Sequence, residues 1–430
     1  MVREGLIPEL DSKSNKCKRY HKTFWQKTTL FYIFLTFSFV FGGFFHIFAF
    51  RNYSQHPSPI TQQPMAGIYA HIPFCKSRCI YCGFYSSTLL SLQDDYVDAI
   101  LRELDSRRDY LDGEPVTTIY IGGGTPSMLS ARNLSRLCQR LKEFANGTLE
   151  EFTVECNPDD ITPEFASLLF VLGVNRVSMG AQTFSDERLA FIHRRHQAHQ
   201  VREAVENLRN AGITNISIDL MFGFPDETVE NWKSDIEQAL SLGVQHISAY
   251  SLMYEEGTPL YKLLEDGKIK EINEDVSLEM YETLITLLTK AGYEHYEISN
   301  FALPGYRSKH NSSYWKRIPY LGIGAAAHSY NLTSRQWNVS DVELYIKGDN
   351  IVEDCELLDA TEQYNDLITT ALRTSEGIDL GTLSETDFHY LTKAASKSIE
   401  QGNLIIENNH LHLTRKGLFI SDAVMVELIK

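Results

Sequence analysis

Cys75, Cys79 and Cys82 stand in the eight-residue stretch Cys-Lys-Ser-Arg-Cys-Ile-Tyr-Cys, directly after a strand-like run. Three thiolates spaced four and three residues apart on a short loop can wrap three corners of a cubane [4Fe-4S] cluster. The fourth iron is left without a cysteine, and that is the chemical point. A fully ligated cluster only passes electrons, whereas an open iron can coordinate a substrate. Zinc is the alternative, since a knuckle of cysteines also binds it. Structural zinc sites take a fourth Cys or His close by, and none stands in register beside this triplet.

Other polar residues fall at regular places. Gly122-Gly123-Gly124-Thr125-Pro126-Ser127 ends the second strand-like run. Glycines there let backbone amides and carbonyls approach a polar ligand, although a tight turn alone also explains them. Glu155, Gln182 and Asp219 end the third, fourth and fifth runs. A carboxylate or amide in an apolar strand is costly unless paired, either inside the sheet or by a ligand. Several converging on one rim favour a ligand. His193, His196 and His199 flank Arg194 and Arg195, whose charges oppose a bound cation, so a solvated face is expected there. Farther on, His310-Asn-Ser-Ser-Tyr314-Trp315 is followed by Tyr320-Leu-Gly-Ile-Gly-Ala-Ala-Ala-His328. Imidazoles among large aromatics suit a porphyrin, which needs stacking partners and an axial nitrogen. From residue types alone, a packed loop with satisfied polar atoms is the simpler reading.

These residues need a scaffold, and the hydrophobic pattern supplies one. Strand-like runs occur at 67–72, 117–121, 152–156, 176–179, 216–220 and 245–250. Between them lie helical stretches at 94–111, 131–144, 163–172, 186–193 continuing to 198–211, and 228–242. Six βα units in series predict an α/β fold with a parallel sheet. No Gly-x-Gly-x-x-Gly follows the first strand, so a curved, partly closed barrel is expected rather than a dinucleotide fold. In such a barrel the active residues belong at the C-terminal strand ends, where the motifs fall. After residue 254 the pattern changes to a helix at 274–291 and a polar segment at 294–330. From 358 come helices and a hairpin, 403–406 with 410–414, around Asn408-Asn409; this reads as a smaller, winged-helix-like α+β module. In an acidic chain such a module is expected to be a structural lid rather than a DNA reader.

The 430 residues carry a net charge of −16. That argues against nucleic-acid binding, which needs a basic face. Seven cysteines are too few and too uneven for a disulfide framework. Residues 28–50 contain no charge and are long enough to span a bilayer, with a basic segment before them. An anchor or a signal peptide would export the remainder, whereas a low-potential cluster belongs with cytosolic reductant. Residues 1–64 are therefore expected to be an extension upstream of a start at Met65, with a membrane anchor through 28–50 as the alternative. A buried core helix is the least favoured reading of that stretch, which has no polar face.

The stretch Tyr69-Ala-His-Ile-Pro-Phe-Cys75-Lys-Ser-Arg-Cys79-Ile-Tyr81-Cys82-Gly-Phe84 resembles the signature of the oxygen-independent coproporphyrinogen III oxidase family of radical SAM proteins. Its heme-chaperone branch is the most similar, from Met65 to the C-terminus. The resemblance implies a partial (β/α)6 radical SAM core at 65–300, a heme-associated segment at 301–357 and a family C-terminal domain at 358–430. It implies a [4Fe-4S] cluster on Cys75, Cys79 and Cys82. It implies S-adenosylmethionine (SAM) on Tyr69, Tyr81, Gly123, Gly124, Thr125, Glu155, Gln182, Arg194 and Asp219, and heme on His310, Tyr314 and Trp315. Ile192-His-Arg194-Arg195-His departs from the usual Leu-Gly-Arg-x-His, which leaves Arg195 as a rival to Arg194. The implied chemistry is reductive cleavage of SAM to methionine and a 5′-deoxyadenosyl radical. The implied partners are heme, acceptor proteins such as respiratory cytochromes, and a low-potential electron donor, in the cytoplasm. Two rival functions stay open: oxidative decarboxylation of coproporphyrinogen III, and a zinc or electron-transfer scaffold without SAM chemistry. Oxidases of the family carry a further cysteine two residues after the third, where this chain has Phe84.

Overall fold

The computed structural model describes residues 66–430. The extension and its apolar stretch at 28–50 lie outside the described residues. Among the described residues no helix is long and apolar enough to cross a membrane.

The chain begins as six βα units: β1 (Ala66–Ile72), α1 (Gln93–Ser106), β2 (Val116–Gly123), α2 (Ala131–Phe144), β3 (Glu151–Cys156), α3 (Pro163–Val171), β4 (Arg176–Gln182), α4 (Asp186–Phe191), α5 (Ala198–Ala211), β5 (Asn215–Phe222), α6 (Val229–Ser241) and β6 (His246–Ser251). Every strand and helix expected there is present, with shifted ends. Helix starts follow local chemistry: Ser130 and Thr162 accept hydrogen bonds from the amides of Asn133 and Phe165, and Pro163 occupies the first turn of α3. Strands β1 to β6 pair in parallel in sequence order.

The next part, α7 (Pro259–Glu265), α8 (Glu274–Lys290), β7 (Glu294–Glu297), β8 (Asn300–Ala302), α9 (Lys309–Trp315), β9 (Tyr320–Ile323), β10 (His328–Tyr330), β11 (Ser334–Asn338), α10 (Val342–Lys347) and β12 (Val352–Leu357), extends the same sheet at both edges. The full order is β12-β11-β10-β9-β1-β2-β3-β4-β5-β6-β8-β7. Strand β9 joins β1 in parallel, while β10, β11 and β12 run antiparallel. The polar segment at 294–330 therefore holds four short strands, β7 to β10, and the helix α9. Its strands are short and rich in His, Tyr and Asn, which hid them from a search for apolar runs.

Alternation along the strands divides the sheet into two unlike faces. Ile68, Ala70, Ile72, Ile119, Ile121, Phe152, Val154, Val177, Met179, Ile216, Ile218, Ile247 and Leu321 pack with the helices in one large core. The registers place Tyr69, Tyr120, Thr153 and Arg176 in one row on the other face, with Glu155, Ser178, Ser217 and His246 in the next. A chain of bonds crosses this second face. His246 Nε2 meets the Tyr296 hydroxyl at 2.7 Å, which accepts from the Ser308 amide at 3.4 Å, and Ser308 Oγ donates to Glu151 at 3.4 Å. Strand β6 is thereby linked to β3 across the face, so the sheet curls into an open barrel with a polar lumen.

A second core holds the remainder: α11 (Ala360–Ala371), β13 (Ile378–Asp379), α12 (Glu385–Glu400), β14 (Leu404–Glu407), β15 (His410–Leu413), α13 (Arg415–Leu418) and α14 (Ser421–Leu428). Strands β13, β15 and β14 form a three-stranded antiparallel sheet, a winged-helix-like arrangement. Asn408 and Asn409 take φ of 49° and 67°, the left-handed pair that a two-residue hairpin turn requires.

Candidate functional site

The cysteine loop leaves the C-terminal end of β1 and is anchored on both sides. The Cys75 amide donates to Ser87 O at 2.9 Å. On the far side Ile80 packs with Ile192, Met221, Phe224, Leu252 and Leu260 in a small core of its own. The Ile80 amide donates to Ile192 O, and Ile80 O accepts from the Leu260 amide. All three loop thiols are free and partly exposed, while Cys138 and Cys156 are buried elsewhere. Burial pushes the Cys75 and Cys82 thiols up, so binding a metal cluster must remove their protons.

The Gly-rich turn meets this loop at the rim. Thr125 Oγ1 lies 3.5 Å from Cys75 Sγ. A Cβ on Gly124 would stand 2.8 Å from the Pro73 carbonyl carbon and 2.9 Å from Phe74 O, so only glycine lets the two segments approach so closely. The Gly123 amide donates to Glu155 Oε2 at 2.9 Å, and the Tyr120 hydroxyl to Oε1 at 2.6 Å. Tyr69 Oη lies 2.9 Å from His71 Nδ1 in the same lumen. Gln182, at the end of β4, takes φ of 64°, and its amide nitrogen comes within 2.7 Å of the space a Gly180 Cβ would fill.

The two rival arginines separate. Arg194 donates to Gly180 O at 2.6 Å and Asn157 Oδ1 at 2.8 Å, and its other terminal nitrogen lies 3.7 Å from Cys79 Sγ. Arg195 turns away to Asp159 and Asp160 at 3.2 and 2.8 Å. Tyr81 faces Arg194 and the thiols of Cys79 and Cys82, and burial drives its pKa upward. The three nearby histidines do not form the single solvated face expected. His193 and His199 are exposed, but His196 is buried and meets Ala181 O at 3.1 Å, because its strand-proximal position faces the core.

Burial pushes Glu155 up to about 7 against its two hydrogen bonds, and Asp219 up to about 6 against Ser248, Arg176 and Arg194. A carboxyl whose pKa is raised by folding holds its proton more tightly in the native chain. Stability is then lost as pH rises from the unfolded pKa to the folded one. Glu155→Gln cannot ionise. Its stability relative to the parent protein, measured by urea unfolding without cofactors, is expected to improve steadily between about pH 4.5 and about pH 7. A difference that does not change with pH would refute this assignment.

Sequence reasoning missed Tyr120, Arg176, Ser178 and Ser248, which complete the lumen. The signal was present in the alternation of β4 and β6 and of residues 118–121 in β2. Arg176 is buried, and its Nε and Nη1 have no partner.

The heme-associated motif lies at the opposite end. His310 sits where β1, β2 and β3 begin, in space left by Gly67, where a Cβ would come within 3.0 Å of its ring. The ring stacks on Tyr120 at 5.2 Å. Its Nδ1 meets Thr118 Oγ1 and its Nε2 the Tyr314 hydroxyl, both at 2.9 Å. Glu151 accepts from the amides of Lys309 and His310 and fixes the segment. Trp315 lies under the Arg373 guanidinium, 4.8 Å from its ring centre, at the seam with the second core. The structure thus gathers the cysteines, Thr125 and Arg194 at one rim, and Tyr120 stands between Glu155 below that rim and the His310 ring at the strand beginnings.

The residues present fit a cluster and SAM. Three free thiols share one loop, a glycine-only turn adjoins them, and the buried Nε of Arg194 lacks a partner.

Comparison with known proteins gives the family. The sequence profile of the radical SAM superfamily matches residues 69–239, and that of the HemN C-terminal domain matches 358–420. The chain is similar to heme chaperone HemW of Lactococcus lactis, 37% identical over 86% of this chain and 98% of that protein. It is 35% identical to heme chaperone HemW of Bacillus subtilis, over 84% of this chain and 98% of the relative. Among solved structures, coproporphyrinogen III oxidase (HemN) from Escherichia coli shares the fold, with a TM-score of 0.73, 21% identity, and coverage of 86% and 90% of the two chains. Its cysteine loop, its polar lumen and this similarity along nearly the whole length of the bacterial relatives together show that the chain belongs to the HemW family of radical SAM proteins.

Proposed function

We propose that this protein is a radical SAM heme chaperone, which binds heme and passes it to acceptor proteins such as respiratory cytochromes. The observation that carries the reading is its similarity to proteins named heme chaperones over 98% of their length. Phe84, exposed where the oxidase branch has its further cysteine, supports it over coproporphyrinogen oxidation.

In this reading Cys75, Cys79 and Cys82 hold the cluster. Gly123, Gly124, Thr125, Glu155, Gln182, Arg194 and Asp219, with Tyr69 and Tyr81, hold SAM. When bound, the pair supplies one-electron reductive cleavage of a sulfonium carbon–sulfur bond, fed by a low-potential donor in the cytoplasm. The chain supplies position and exclusion. Arg194 offers a guanidinium suited to a carboxylate beside the cysteine loop. Glu155 and Asp219 offer acceptors in a lumen that strengthens their interactions. The packing of Ile80 on Ile192 and Leu260 holds the loop over the rim.

Heme titrated anaerobically into the cluster-reconstituted protein is expected to give a saturable Soret band. The same protein with SAM and a strong reductant is expected to release 5′-deoxyadenosine without consuming coproporphyrinogen III. Absence of saturable heme binding, with turnover of coproporphyrinogen, would replace this reading by the oxidase.

A further inference from the structure

We propose that Arg176 is a positioning residue for SAM: its buried guanidinium, on the strand between those of Glu155 and Asp219, keeps both carboxyls charged and so able to accept from the cofactor. This role rests on the radical SAM reading of the lumen and adds to it a residue outside the expected SAM contacts.

The placement follows from register. Arg176 pairs with Thr153 on β3 and with Asn215 on β5. By the two-residue period its side chain shares the lumen face with Glu155, Ser178, Ser217 and Asp219. Arg176 is 1% exposed, and its Nε and Nη1 meet no acceptor. With only Nη2 left, it forms no bidentate pair with an acid. A buried cation that is not tied up in this way acts through its field, which reaches far in a dry lumen.

The groups facing that cation are sorted accordingly. His71, His246 and His310 are buried and held below the usual imidazole value by that burial, with Arg176 adding to the effect at the last two. All three rings are therefore neutral. Tyr69, Tyr120, Tyr250, Tyr296 and Tyr314 line the same space, and burial keeps each hydroxyl protonated. Two carboxyls remain. Burial raises Glu155 to about 7 and Asp219 to about 6, and the Arg176 charge opposes the rise at both. Arg194 also faces Asp219, but its terminal nitrogens are directed to Gly180 O, Asn157 and Cys79.

A carboxyl accepts from an amine or a hydroxyl most strongly when it is ionised. Without Arg176 both acids would hold their protons to higher pH, and the cationic sulfonium compound would meet a neutral lumen. The direction is fixed by the sign of the charge: removing a cation favours the protonated acid, so binding is lost on the acid side first.

The test is SAM affinity by equilibrium dialysis, which reads binding without turnover. It is measured from about pH 6 to about pH 9, a span that brackets the Glu155 value of about 7, on the full cluster-reconstituted chain as parent, Arg176→Met and Arg176→Lys. Parental affinity is expected to fall as pH drops through about 7, where Glu155 takes up its proton. Losing a nearby opposite charge moves a carboxyl up by about 1 pH unit or more. Arg176→Met is therefore expected to bind about tenfold more weakly than the parent near pH 6 and about equally near pH 9. Taking the ratio of the two affinities at each pH cancels the titration of SAM's own amine. Arg176→Lys keeps the charge and is expected to follow the parent. A loss in Arg176→Met that is the same at every pH would make the residue merely structural and overturn the role. So would a parent profile that is flat across the range, a result that requires no variant to fold. A parent that binds no SAM at any pH would instead overturn the radical SAM reading itself.

Discussion

Alanine at Cys75, Cys79 or Cys82 is expected to abolish the visible absorption of the reconstituted protein and its release of 5′-deoxyadenosine. The loss of SAM cleavage should exceed about a hundredfold, because supporting residues around a metal already cost up to that much. Each thiol comes from one short loop whose ends are pinned by Ser87 O and by the packing of Ile80, so no neighbouring side chain can swing in as a substitute. Among the described residues the other free thiols, Cys138 and Cys156, are buried in α2 and β3. Alanine at either is expected to leave iron, sulfide and SAM cleavage unchanged. A loop variant that kept stoichiometric iron and sulfide would move the cluster away from this loop.

The second large effect concerns stability. Glu103 on α1 is buried and accepts from Arg107 at 3.0 Å, Asn338 Nδ2 at 2.8 Å, the Gly324 amide at 2.9 Å and the Tyr345 hydroxyl. One carboxylate thus ties a helix of the first βα unit to the turn after β9, the end of β11 and α10. Removing it leaves the Arg107 charge without its counter-charge and takes the acceptor from the Gly324 amide and the Tyr345 hydroxyl, while Arg107 keeps Gly322 O, Ser329 and Gln336, and Asn338 keeps Gly324 O. Breaking one side of such a buried pair costs about 3–5 kcal/mol. Glu103→Ala is therefore expected to lower unfolding free energy by that amount in urea, and Glu103→Gln by less, since an amide keeps one acceptor. A loss below about 1 kcal/mol, the usual value for an exposed pair, would show that this network is not closed to water.

The sequence by itself determined the local elements. Six βα units, the helix at 274–291 and the hairpin at Asn408-Asn409 were legible because periodicity, N-caps and turn residues act over a few neighbouring positions. The cysteine loop was legible for the same reason, since three ligands on one short segment need no distant partner. Only tertiary structure decided which arginine faces the thiols. Arg194 and Arg195 are adjacent, and the choice depends on Gly180 O and Asn157 for one and on Asp159 and Asp160 for the other. It also decided that the short strands β9 to β12 complete the sheet, because their pairing is non-local and their pattern is not apolar. The two histidines of the aromatic segment carry the same lesson. His310 and His328 are chemically alike in sequence. Packing at the barrel floor takes both nitrogens of the first, while the exposed start of β10 leaves those of the second without a hydrogen bond among the described residues.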